Sequence, residues 1–300
     1  QIRRDPMNHL LSKIGSYPFE KLNLLLKEIK PSKEVINLSI GEPKLNADSK
    51  VLDILNQETK SFSNYPPMNA IPELSEAYRQ YLKNHFRIKN VAEDEVCLVA
   101  GTREGTFSII QALFNKENVK DKPYVVMPNP FYQIYGGATT LAGGEAKFLD
   151  CPEEKNFQPD LDSLKGEDWQ KCQILVLCSP NNPSGSILPL SKLKDILDLA
   201  EKYDFYVVSD ECYVDLYTSE ESCPSILQVS SDRSDRLVAL HSLSKRSNLP
   251  GFRSGFACSG KKTISAYKKF RSFHGVSVPL PIQKASVGAW LNLSLIHISE

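Results

Sequence analysis

Seven short runs read as β-strands, most of them apolar at nearly every position, and they recur along the chain with helical patterns between them. The runs are VCLVA (96–100), YVVM (124–127), residues 146–149, ILVLC (174–178), YVVS (206–209), LVAL (237–240) and GFAC (255–258). Helical periodicity falls at 103–115, 131–142, 190–203 and 261–273. A strand that is apolar throughout must be buried on both faces. Strands of this kind alternating with helices therefore predict an α/β fold, a mostly parallel central sheet with helices on both faces. Upstream, residues 18–29 predict an amphipathic helix with Leu22, Leu25, Leu26 and Ile29 on one face. VINLSI (35–40) predicts a further strand ending at the turn signal Gly41-Glu42-Pro43, and helices are predicted at 48–58 and 72–87, with Pro72 suited to a first turn.

Open parallel sheets bind ligands beyond the carboxyl ends of their strands, so the residues just after each strand carry the functional reading. After VCLVA, Gly101-Thr102-Arg103-Glu104-Gly105 opens a helix, whose free N–H groups suit an anion. After ILVLC comes Ser179-Pro180-Asn181-Asn182-Pro183-Ser184-Gly185, a rigid turn that can aim an amide. After YVVS comes Asp210-Glu211-Cys212-Tyr213, an acid that is costly to bury without a partner. After LVAL come His241-Ser242-Leu243-Ser244-Lys245-Arg246 and then Pro250-Gly251-Phe252-Arg253, where hydroxyls and a guanidinium suit a phosphate. Taken singly, each segment also reads as an ordinary turn, a helix cap or a solvated basic loop. Taken together, phosphate donors, an acid, a phenol, an amide and a lysine at one sheet edge match the needs of one cofactor, pyridoxal 5′-phosphate.

The ordered set Asn182-Pro-x-Gly185, Asp210-x-x-Tyr213, Ser242-x-Ser244-Lys245 and Arg253 resembles the fold type I pyridoxal-phosphate enzymes, class I/II aminotransferases, over roughly residues 8–292. The resemblance implies these roles. Lys245 is the catalytic lysine that joins the cofactor's aldehyde. Asp210 pairs with the ring nitrogen. Asn182 and Tyr213 contact the ring oxygen, and Asn182 also faces substrate. Thr102, Arg103, Ser242, Ser244 and Arg253 hold the phosphate. Tyr132 stacks on the ring, with Phe131 beside it as the alternative. Tyr65, in SNYPP, reaches the phosphate of a neighbouring subunit, which implies a homodimer. Gly41 lies near the substrate carboxylate. A lysine moving a proton in such a site needs its pKa lowered toward about 7–8, and Arg246 and Arg253 are the candidate neighbours. The strings MNHLLSKIGSYPFEKL and HSLSKRSNLPGFRSGF are similar, more narrowly, to succinyldiaminopimelate aminotransferases of lysine biosynthesis, in which glutamate donates the amino group and N-succinyl-2-amino-6-ketopimelate accepts it. Another class I aminotransferase, aspartate- or alanine-like, and a lyase of the same fold remain the alternatives.

The expected organisation is a small-domain segment over 1–47, a large cofactor-binding domain over 48–285, and the start of a further C-terminal part over 286–300. The α+β small domain is thus present only in part, and the family runs on by about another hundred residues that carry an arginine for the substrate carboxylate. Gln1 is not an initiator and the tail LSLIHISE (293–300) ends without a cap, so residues 1–6 and 293–300 read as cloning or sequencing edges.

Bulk properties narrow the remaining classes. Lys+Arg and Asp+Glu both number 36, so no basic excess points to nucleic acid or a membrane surface. Seven cysteines without CxxC spacing and no apolar leader point to a reduced, cytoplasmic protein. The five histidines lack metal-ligand spacing, so no metal is expected. Gly255–Lys261 matches most of a nucleotide P-loop but is followed by Lys262 where Ser or Thr is needed. Ser242-Leu-Ser-Lys245 matches an S-x-x-K serine-enzyme motif, but its companions S-D-N and K-T-G are absent. A regulator that senses the same cofactor would carry a DNA-binding helical domain first, whereas here the pattern begins almost at the first residue.

Overall fold

The computed structural model describes residues 7–41, 44–117, 122–217, 223–230 and 235–292. The expectations for residues 1–6 and 293–300, and for Glu42 and Pro43 of the predicted turn, lie outside the described residues. The chain divides into two compact units, Gln1–Lys44 and Leu45–Glu300.

In the first unit, helix α1 (Pro18–Leu26) starts on a proline at its first position and ends before Ile29. Residues 35–40 form no strand, contrary to the sequence reading. Val35, Ile36 and Leu38 are exposed. Apolar composition is not sufficient for a strand, which needs an edge to pair with.

The second unit carries a seven-stranded sheet: β1 (Val96–Val99), β2 (Tyr124–Asn129), β3 (Glu145–Asp150), β4 (Cys172–Cys178), β5 (Tyr206–Asp210), β6 (Leu237–Ser242) and β7 (Gly255–Cys258). The spatial order is β1-β7-β6-β5-β4-β2-β3. Strands β3, β2, β4, β5 and β6 run parallel, and β7 runs antiparallel to both β6 and β1. Gly255 sits where β7 crosses the end of β6. A Cβ there would lie 2.3 Å from the carbonyl oxygen of His241, so packing accounts for this glycine of the apparent P-loop pattern.

Alternate strand residues enter two cores, as the period of two requires. Leu175 and Leu177 of β4, Val207 of β5 and Ala239 of β6 pack on α3 (Pro72–Phe86), α7 (Leu190–Tyr203) and α10 (Leu280–Leu291), through residues such as Leu74, Tyr78, Leu193, Ile196 and Trp290. Ile174 and Val176, Val208, and Val238 and Leu240 pack on α4 (Thr102–Leu113), α5 (Gln133–Leu141) and α9 (Lys261–His274), through Ile109, Tyr135, Ala138 and Tyr267. The other helices are α2 (Ser49–Gln57), the short α6 (Gly166–Lys171) and the single turn α8 (Leu243–Arg246). Helix α10 runs across the 285/286 division expected from the sequence, because Trp290 is buried against Tyr78 and Phe256, at ring-centroid distances of 5.6 and 5.0 Å.

Among the described residues, no helix is long and apolar enough to cross a membrane.

Candidate active site

The alternation along β5 and β6 decides which side chains meet. Asp210 ends β5 on the α4/α5 side and is almost wholly buried. The Tyr135 hydroxyl donates to its Oδ2 at 3.1 Å and the Cys212 amide to its Oδ1 at 3.3 Å. Burial holds the Asp210 carboxyl above its ordinary value, and hydrogen bonds from Tyr135, Cys212 and Thr102 offset this in part. A low-polarity site that strains a carboxylate in this way favours a cation beside it. Tyr213, three residues on, has its phenol pushed well up by burial and by its neighbours Cys212, Cys178 and Asp210, so it stays a hydrogen-bond donor across the working pH range.

Lys245 lies on α8, directly after β6, and is half-buried. Its Nζ stands 5.7 Å from the centre of the Tyr213 ring. Ser242 caps that turn: its Oγ accepts from the Ser244 amide at 3.1 Å and bonds the Ser244 Oγ at 2.9 Å. Arg253, at a left-handed φ of 49°, extends its guanidinium back over the same place. Its Nη1 donates to Ser244 Oγ at 3.4 Å and to the Pro250 carbonyl at 2.7 Å, and its Nη2 to the Ala100 carbonyl at 3.1 Å. Gly101 caps α4 at φ 82°, ψ 164°, a conformation essentially reserved for glycine, and a Cβ there would sit 2.5 Å from the Arg253 guanidinium. The bare Cα thus lets a guanidinium, two serine hydroxyls and the start of α4, with Thr102 buried and Arg103 exposed, converge on one spot. That donor set fits a phosphate, and with the buried Asp210 and the adjacent lysine the residues present fit pyridoxal phosphate.

Two other expected members lie on separate turns. Asn182 is half-buried in the turn after β4, which is closed by Gly185 N–H to Asn181 O at 2.8 Å. Tyr132 caps α5, its ring 5.8 Å from and perpendicular to that of Tyr135. Tyr65 is fully exposed on a loop. Gly41 is an exposed residue of the first unit.

Arg246 departs from the sequence expectation. Its guanidinium turns away from the lysine into the core, packed on the Tyr81 and Trp290 rings at 4.8 and 5.1 Å. Its Nε lies 3.3 Å from Asp215 Oδ2, and its Nη atoms donate to the Ala289 and Asn292 carbonyls. The Tyr81 hydroxyl donates to the same carboxylate at 2.8 Å, and His85 Nε2 lies 3.2 Å from its other oxygen. Beside this cluster, Glu211 Oε1 accepts from Ser209 Oγ and the Ile226 amide, and its Oε2 lies 3.3 Å from His241 Nε2. Burial raises the Glu211 carboxyl to about 7, and burial with the charges of His85 and Arg246 lowers His241 to about 3. The two form a neutral pair behind the site, one residue from Asp210 and Ser242.

The sequence reading missed Tyr135, which lies one turn along α5 from Tyr132. That i, i+3 spacing was the available signal. It also missed Glu104 and Arg271, whose pairing no local pattern announces. Among the described residues no group of three or more His, Cys, Asp or Glu could hold a metal ion.

A seven-stranded α/β sheet with lysine, acid and anion-binding donors at one edge defines a fold type I aminotransferase, and comparison with known proteins bears this out. The family profile for aminotransferases of class I and II matches residues 33–296, and the chain belongs to that family. It is an enzyme, a transaminase. It is similar to a solved aminotransferase from Neisseria meningitidis, with 39% identity and a TM-score of 0.89 over 95% of this chain and 74% of that one. A Helicobacter pylori aminotransferase structure gives 35% and 0.86 over 93% and 74%. An LL-diaminopimelate aminotransferase of Aquifex aeolicus is 29% identical over 265 residues, 87% of this chain and 67% of that protein.

Proposed function

We propose that this chain is the pyridoxal-phosphate-dependent aminotransferase that moves an amino group from glutamate to N-succinyl-2-amino-6-ketopimelate, acting in the cytosol as a homodimer. The observation that carries the cofactor assignment is the convergence of Asp210, Lys245 and the Ser242–Ser244–Arg253–Gly101 donor set at one sheet edge. The acceptor reading is supported by the YPFEKL and HSLSKRSNLPGFRSGF strings and by relatives named for diaminopimelate. The seven free cysteines suit a reducing compartment.

When bound, the cofactor supplies an aldehyde that takes up the amino group and a protonated ring that accepts electron density from the substrate. Asp210 would keep the ring nitrogen protonated, its own buried carboxyl gaining the counter-charge it lacks. Tyr213 and Asn182 would hydrogen-bond the ring oxygen, and Tyr132 would stack on the ring. Thr102, Arg103, Ser242, Ser244 and Arg253 would hold the phosphate, joined by Tyr65 of a second copy. Lys245 would be the residue that joins the aldehyde at rest, and its Nζ, once free, would take the proton from the substrate α-carbon and later return one. Asn182 would also face the substrate. Glutamate leaves as 2-oxoglutarate, and the keto acid leaves as the amino acid.

The visible spectrum of the protein with pyridoxal phosphate, before and after glutamate, tests this. A band that borohydride fixes at Lys245 and that glutamate bleaches is expected. Lys245→Ala should lose the band and about 10²–10⁴-fold or more of the turnover. A Lys245→Ala protein that still transaminates would overturn the assignment. A screen in which oxaloacetate or pyruvate replaces the pimelate acceptor without loss would overturn the substrate.

A further inference from the structure

We propose that Glu104 and Arg271 are positioning residues for the phosphate end of the site, holding the Ala100–Gly101 turn and cancelling a charge that would repel the phosphate; this rests on the cofactor reading above. Glu104 lies in the first turn of α4, and its Oε2 accepts from the Ala100 amide at 2.8 Å. The carbonyl of the same residue accepts from Arg253 at 3.1 Å. Ala100 is therefore gripped on both sides, by Glu104 at its N–H and by Arg253 at its C=O. The next residue is Gly101, over which the Arg253 guanidinium packs. A shift of this turn moves the α4 N–H groups and Arg253 together.

Glu104 is itself held from α9. Arg271 Nη1 donates to Glu104 Oε1 at 2.5 Å, and the side chains are 3% and 17% exposed. The guanidinium is fixed in turn by Tyr267 Oη at 3.2 Å, Ser108 Oγ at 3.4 Å and the Val276 carbonyl at 3.2 Å. His274 Nδ1 lies 3.8 Å from the same carboxylate oxygen. Tyr267 also bonds Ser108, at 2.5 Å, and the Gly105 carbonyl, at 3.3 Å. The chain Arg253–Ala100–Glu104–Arg271–Tyr267 thus ties the anion-binding turn to a separate helix. A carboxylate suits the first turn of a helix, yet next to a bound phosphate dianion it is a like charge. Arg271 resolves that conflict by neutralising Glu104 from the side away from the turn.

The test compares affinity for pyridoxal phosphate with affinity for pyridoxal, which lacks the phosphate, each read from the visible band. Because a charged hydrogen-bond partner is lost, Arg271→Met should weaken pyridoxal phosphate about tenfold or more while changing pyridoxal less than about twofold. The double variant Glu104→Gln, Arg271→Met, which removes the unpaired carboxylate, should recover part of the loss. If Arg271→Met does not fold, Arg271→Gln, which also removes the charge, is judged by the same selective loss. Equal losses for both ligands, or none for either, overturn the proposal and leave a purely structural ion pair. A parent protein that binds neither ligand overturns the cofactor reading itself, and this proposal with it.

Discussion

Replacing Glu211 by glutamine separates two opposed titrations that the native pair conceals. Folding raises the Glu211 carboxyl from 4.5 to about 7. Between those values the folded protein keeps a proton that the unfolded chain has released. Glu211 therefore costs nothing below pH 4.5 and costs stability increasingly up to pH 7, by roughly 1.4 kcal/mol per pH unit. Folding lowers His241 from 6.5 to about 3. Below 6.5 the unfolded histidine takes a proton that the folded one refuses, so stability falls with pH at the same rate. From 4.5 to 6.5 the two slopes cancel. Glutamine keeps the acceptor for Ser209 and the Ile226 amide and cannot ionise beside His241. Relative to the parent, Glu211→Gln should therefore gain stability steadily from pH 4.5, reaching about 3 kcal/mol at pH 7 and staying there. Urea unfolding of both proteins at one protein concentration, from pH 4.5 to 8, reads this directly. A difference between the two that does not change with pH would mean that Glu211 is ionised in the folded protein, and the neutral-pair reasoning would fail.

Two further variants address the framework of the site. Asp215→Ala leaves the Arg246 guanidinium buried without its carboxylate and should cost about 3–5 kcal/mol, seen as a lower urea midpoint; a loss under about 1 kcal/mol would show that the Ala289 and Asn292 carbonyls satisfy it alone. Gly101→Ala imposes a strained backbone, costing about 1–3 kcal/mol, and pushes on Arg253. It should lower both stability and pyridoxal-phosphate affinity, and an unchanged affinity would remove Gly101 from the phosphate site.

Much of this fold and site is legible in the sequence. Strands buried on both faces must be apolar throughout, so β4, β5 and β6 stand out as ILVLC, YVVS and LVAL. Polar residues directly after them are conspicuous for the same reason, which is how Asp210, Ser242, Ser244 and Lys245 were found. The false strand at 35–40 arose because apolarity does not name a partner. Helix α10 was overlooked because it is buried widely around its circumference, from Gln283 and Ala285 to Ala289 and Trp290, and a helix without a polar face has no period to detect.

Local sequence, then, determined the strands, most of the helices and the short stretches that carry the chemistry, because these depend on residues a few positions apart. Tertiary structure alone decided the antiparallel course of β7, which side of the sheet Asp210 shares with Tyr135, and the turning of Arg246 from Lys245 toward Asp215. It alone joined Glu104 to Arg271 across 167 residues of chain. Ion pairs and strand partners of this kind are set by distance in space, and nothing in the spacing along the chain encodes that distance.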